Sequence, residues 1–134
     1  MWLYTLIAFG GALGSVARFG IGGLVAQRFG ETFPWSTLVV NVTGSFVIGF
    51  LGALVAPEGP MKSQSRVFAT QFFITGVCGG YTTFSSFSLQ TLNLIRDGEL
   101  LYATGNAIVS VVLCMIAVWA GWLLGSALTA TKGT

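Results

Sequence analysis

Residues 37–56, 67–94 and 101–128 contain no Asp, Glu, Lys or Arg, and each run is long enough to cross a lipid bilayer as a helix. A hydrocarbon core about 30 Å thick takes roughly 20 helical residues at about 1.5 Å apiece. A fourth apolar window, residues 2–29, holds Arg18 in its interior and Arg28 near its end. The whole chain is 54% hydrophobic and 7% charged, where a soluble domain is about a quarter charged. So few charges cannot coat a globule in water. The expected fold is an all-α membrane protein of four transmembrane helices, one domain over residues 1–134 with spans near 2–29, 37–56, 67–94 and 101–128.

The connections support this division. Pro34, Pro57 and Pro60 all lie between windows, where a missing N–H does least harm. The first window has neither a basic leader nor an Ala-x-Ala-like cleavage site and is followed by further spans, so it reads as a membrane helix and not a signal peptide. Four spans put Lys62, Arg66 and Lys132 on one side of the membrane and Arg28 and Arg96 on the other. Three against two is almost no positive-inside bias. Insertion both ways up, giving an antiparallel homodimer, and a single orientation set by some other signal both remain open.

Several function classes are excluded early. Histidine is absent, which removes the commonest metal ligand and the usual general base. No nucleophile, base and orienting acid can be assembled, so an enzyme is not expected. A net charge of +2 without a basic cluster makes no nucleic-acid footprint. Cys78 and Cys114 lie inside apolar runs and read as packing residues.

The 19 glycines are too many for loops alone. Gly10, Gly14 and Gly22 recur on one face of the first window, Ser45, Gly49 and Ala53 on the second, and Ala117, Gly121 and Gly125 on the fourth. Small-residue stripes let helix backbones approach closely in lipid. Four helices enclose little interior, so these faces are expected to meet in a homo-oligomer.

The third window contains Gly79-Gly80-Tyr81-Thr82-Thr83, poor helix-forming sequence. A break is expected near Gly79 to Thr82, with the helix restarting near Thr83. Broken membrane helices free carbonyls and N–H groups that lipid cannot satisfy, and they recur at ion sites for that reason; a glycine kink used only for packing is the alternative. Beyond the break, Phe84 and Phe87 share a helix face. Aromatic ring edges are electropositive and can touch a small anion without trapping it, although most Phe pairs simply pack.

Two polar rows follow helical spacing: Thr37, Asn41 and Ser45 on the second window, and Asn106, Ser110 and Cys114 on the fourth. Each row alone reads as interhelical hydrogen bonding, which is worth about 0.6 kcal/mol on average. Together with the break they favour an anion pathway. Arg18 is the one formal charge deep in a window; it either draws anions into a vestibule or snorkels to the interface. Glu31, Glu58, Asp97 and Glu99 all fall in or beside connections. A small proton-coupled multidrug exporter, the main rival reading, therefore has no embedded carboxylate to use. A noncatalytic assembly subunit of a larger membrane complex is the second rival.

At these residues the sequence resembles the Fluc (CrcB) family of fluoride channels. The matching motifs are Gly-Ser-Val-Ala-Arg-Phe at 14–19, Thr37-Leu-Val-Val-Asn41 with Gly44, and above all the string from Gly79 to Ser88, Gly-Gly-Tyr-Thr-Thr-Phe-Ser-Ser-Phe-Ser. The four-window layout matches as well, so the likeness covers nearly the whole chain. It implies an antiparallel, dual-topology homodimer in the plasma membrane (the bacterial inner membrane). Such a dimer carries two fluoride pores built by both subunits and exports cytoplasmic fluoride passively, giving fluoride resistance. By the same resemblance Phe84 and Phe87 form a phenylalanine box, Asn41 is the pore amide beside it, and Thr37, Thr83, Ser85, Asn106 and Ser110 are further pore candidates. Arg18 matches a vestibule arginine. The backbone carbonyls of Gly79 and Thr82, one pair from each subunit, are expected to hold a structural sodium ion at the dimer axis. This chain departs from the family's usual residues at Tyr81, where Leu is more common, at Gln90, where Glu is frequent, and at Asn106 and Cys114.

Overall fold

The computed structural model describes residues 1–130, so Lys132 of the charge count lies outside the described residues. Among the described residues all regular structure is helical. Helix α1 spans Trp2–Phe29 and α2 spans Trp35–Val55. The third helical segment starts four residues before the expected 67, as α3, Ser63–Ala69, runs on as a π-helical stretch, Thr70–Cys78, and ends its first part in the single turn α4, Gly79–Tyr81. After two extended residues, α5 covers Phe84–Arg96, and α6 covers Leu100–Ala130. Helices α1, α2 and α6 are each long and apolar enough to cross a membrane. Large apolar side chains such as Phe19, Met115 and Trp119 are well over half exposed, a surface suited to acyl chains and not to water.

The third window is the one not built as a single helix, and its break sits slightly later than the sequence suggests. Gly79 keeps helical dihedrals, φ −63° and ψ −39°, and Gly80 and Tyr81 complete the turn. The chain leaves the helix at Thr82 (φ −80°, ψ 159°) and Thr83 (φ −151°, ψ 111°), and α5 starts at Phe84. Two adjacent β-branched residues favour this extended backbone. The Thr82 N–H closes the last turn on the Cys78 carbonyl at 3.0 Å. The next helix is then capped by Thr83, whose Oγ1 accepts from the Ser86 N–H at 3.1 Å, the usual role of a hydroxyl at an N-cap. Gly80 serves close approach instead: a Cβ there would collide with the Gly11 carbonyl of α1.

The break also changes packing partners. The π-helical stretch and α4 lie along α1, whereas α5 turns to lie against α6. Helices α2 and α6 form the largest interface. Here the small-residue stripes correct their expected use. A Cβ on Gly49 would strike the Val118 carbonyl, one on Gly121 the Phe46 carbonyl, and one on Gly125 would lie 2.7 Å from both the Phe50 oxygen and the Ala53 Cβ. On α1, Gly10 and Gly14 meet the carbonyls of Phe72 and Val77 in the same way. Both close interfaces are therefore inside one subunit, and the stripes are consumed there instead of facing a second copy. Gly22 belongs to neither, with Ser36 Cβ its nearest neighbour at 3.8 Å.

Candidate functional site

Helices α2, α5 and α6 together enclose an open groove of about 400 Å³. Its lining includes Asn41, Ser45, Thr83, Phe84, Phe87, Ser110 and Cys114. Phe84 and Phe87 stand one helical turn apart with ring centroids 5.2 Å from each other and planes inclined at 46°. Phe87 is partly buried, but Phe84 is 76% exposed, so the ring pair forms the rim of an open groove.

Asn41 is fastened to the break. Its Nδ2 donates to the Thr83 carbonyl at 2.9 Å, and its Oδ1 accepts from the Thr83 N–H at 2.7 Å. This two-bond clip supplies the backbone partners that the interrupted helix lacks. One Nδ2 hydrogen of Asn41 is not used by the clip. The clip also frees a carbonyl: in a continuous helix the Thr83 N–H would bond to Gly79, and the Ser86 N–H would bond to Thr82. Both donors are diverted, the first to Asn41 and the second to Thr83 Oγ1. Gly79 is exposed, and a Cβ placed there would find nothing nearer than the Ile74 oxygen at 4.0 Å. No group of three or more His, Cys, Asp or Glu gathers among the described residues. The carbonyls of Gly79 and Thr82 are neutral oxygen donors, the ligand type that hard cations take.

The fourth-window row is a hydrogen-bonded chain. Ser110 Oγ donates to Asn106 Oδ1 at 3.2 Å, Asn106 Nδ2 donates to Thr91 Oγ1 at 2.8 Å, and Thr91 Oγ1 donates to the Phe87 carbonyl at 2.8 Å. Ser110 reaches the groove, whereas Asn106, 2% exposed, lies behind it and ties α6 to α5. Ser85 points back toward Thr83 Oγ1 at 3.2 Å and does not line the groove.

Arg18 and Thr37 lie elsewhere. They share a second hollow with Ser36, Thr83, Ser86 and Gln90. That hollow shares Ala26, Ser36 and Gln90 with a larger outer one rimmed by Glu31, Asp97 and Glu99. Thr83 lines both the Arg18 hollow and the Phe groove. The structure thus joins the candidates as a series of three adjoining hollows, not as one cluster. Gln90 stands between the Arg18 hollow and the outer one, and its buried Oε1 has no hydrogen-bond partner among the described residues. Ser86 was not singled out by sequence, although an N-cap threonine three residues ahead of it is a recognisable pattern. Ser45 and Cys114, the end members of the two polar rows, join the groove as their spacing implies.

Residues 5–122 match the family model described as CrcB-like protein, Camphor Resistance (CrcB). The chain belongs to the CrcB family. Three similar CrcB relatives carry the name fluoride-specific ion channel FluC. The one from Opitutus terrae is 60% identical over 134 residues, covering all of both chains. The one from Methylocella silvestris is 50% identical over 130 residues, covering 97% of this chain and 98% of its own. The one from Rhodospirillum rubrum is 52% identical over 122 residues, covering 88% and 90% respectively. With its long apolar helices, this member of the CrcB family is a multi-pass membrane protein.

Proposed function

We propose that the protein is a fluoride channel, not an enzyme, and that fluoride passes along the groove rimmed by Phe84 and Phe87. The observation that carries this reading is the joining of two phenylalanine rings with neutral donors, Asn41 and Ser110, in one groove, in a chain whose relatives are named for fluoride. Moving even a carboxylate-sized ion into a dry medium has an idealised cost on the order of 20 kcal/mol, and fluoride is smaller still. The pathway must therefore replace water as it removes it. The remaining Asn41 amide hydrogen is one substitute. Ser110 is another, because its hydroxyl rotates and its bond to Asn106 is long, so an anion competes well for that proton. The Phe84 and Phe87 edges complete a weak, narrow path that excludes chloride by size. Arg18 draws anions toward the series of hollows.

No coupling group is needed for transport of this kind. With the cell interior negative, about 2.3 kcal/mol per charge per 100 mV drives the anion outward across the plasma membrane. Proteoliposomes containing the purified protein are expected to release fluoride rapidly to a fluoride-selective electrode while retaining chloride. Equal release of both ions, or of neither, would overturn the reading.

The working unit in this reading is an antiparallel homodimer with two pores. The 76% exposure of Phe84 supports it, because a conducting path needs its open side closed. The even distribution of basic residues supports insertion both ways up. Reporters fused to the C-terminus are expected to be found on both sides of the bacterial inner membrane in comparable amounts; one-sided insertion would exclude the antiparallel arrangement. The freed carbonyls of Gly79 and Thr82 from each copy suit a sodium ion between the subunits, where its charge would tie the two broken helices together.

A further inference from the structure

Helix α2 grips the break at a second point, on the opposite side of Thr82 from the Asn41 clip. Tyr81, the last residue of α4, places its hydroxyl 2.8 Å from Thr43 Oγ1. Thr43 Oγ1 lies 2.8 Å from the Val39 carbonyl and 3.2 Å from that of Val40. A threonine hydroxyl has one hydrogen, and the closer carbonyl takes it. The direction of the Tyr81 bond follows: Tyr81 donates to Thr43, which donates to Val39. The ring leans on Gly44, where a Cβ would come within 3.1 Å of Tyr81 Cδ1 and would collide with the Thr82 methyl group. Thr43 and Gly79 are both exposed and Tyr81 is partly buried, with Tyr81 two residues after Gly79 and directly before Thr82.

We infer that the Tyr81–Thr43 relay is a positioning device for the two break carbonyls, holding Gly79 and Thr82 at a fixed separation while Asn41 anchors the backbone beyond them. Tyr81 touches no groove residue through its hydroxyl and acts only through Thr43 and the turn it terminates. The inference rests on the cation-tied dimer proposed above.

The test uses the full-length protein and sodium chloride alone. Subunit exchange between two differently labelled populations in detergent is followed without fluoride as sodium is raised, and fluoride efflux is measured over the same sodium range. Tyr81→Phe keeps the ring on Gly44 and removes only the donor. It and Thr43→Val are each expected to raise the sodium concentration that half-suppresses exchange by about fivefold or more. The double variant should be no worse than either single one, Thr43→Ser should behave as the parent protein, and maximal efflux at saturating sodium should stay within about twofold in all of them. An unchanged sodium requirement in Tyr81→Phe, or additive effects in the double variant, would overturn the inference and leave the cation-tied dimer standing. A parent protein whose exchange ignores sodium but which conducts fluoride would remove both, while leaving the channel itself intact.

Discussion

Phe84→Ile and Phe87→Ile are each expected to abolish fluoride efflux from proteoliposomes, with a fall of about 100-fold or more, equivalent to ~2.7 kcal/mol of barrier. Isoleucine keeps the site apolar and removes the ring edge, so the substitution separates electrostatic contact from simple occlusion. Stability should change little at Phe84, because its ring is 76% exposed in the subunit and little packing is lost. Phe87 is more deeply set, and its replacement leaves a modest gap beside the Thr91 bond to the Phe87 backbone oxygen. That bond involves the main chain and survives. Size-exclusion profiles should match the parent protein for both variants. Undiminished efflux from well-folded Phe84→Ile would show that the ions take another route.

The second large effect is on assembly of the subunit itself. Gly121→Ala and Gly49→Ala each introduce a methyl group into backbone of the facing helix, at the Phe46 and Val118 carbonyls respectively. A side-chain tip can swing away from such a clash, but a carbonyl within a helix cannot, so the cost falls at or above the top of the usual overpacking range, about 3 kcal/mol. Relief requires α2 and α6 to separate. Those helices carry Asn41 and Ser110, which line the groove from its two sides, so efflux should be lost together with thermal stability in detergent. Gly105→Ala is the control: nothing lies within 4 Å of a Cβ there, and alanine favours helix by up to about 1 kcal/mol over glycine. It should melt at or above the parent temperature. If Gly121→Ala melted like Gly105→Ala, the close α2–α6 contact would be refuted.

Much of this site was legible along the chain because its signals are local. The i, i+4 spacing of Asn106 and Ser110 predicts that they share a face, and the two side chains are hydrogen-bonded at 3.2 Å. Low helix propensity near residues 79–83 predicts an interruption, and one occurs at Thr82 and Thr83. The exact residues were harder to read, since Gly79 and Gly80 weaken a helix without having to leave it. Gly80 packs against Gly11 of α1 within the last helical turn, and the β-branched threonines that follow take the extended backbone.

Hydropathy, charge placement and residue spacing are properties of consecutive residues, so a helical membrane protein, an interrupted third window and two polar rows could be read along the chain. The folded arrangement was needed to see that the glycine stripes, Gly22 apart, pack within the chain, that Asn41 clips the backbone of Thr83, and that Arg18 and Thr37 occupy a different hollow from the phenylalanine rings. Those outcomes depend on which helix faces which. A small residue permits close approach to any neighbour, and an amide can bond any donor or acceptor within reach, so their partners are selected by long-range packing and not by the residues themselves.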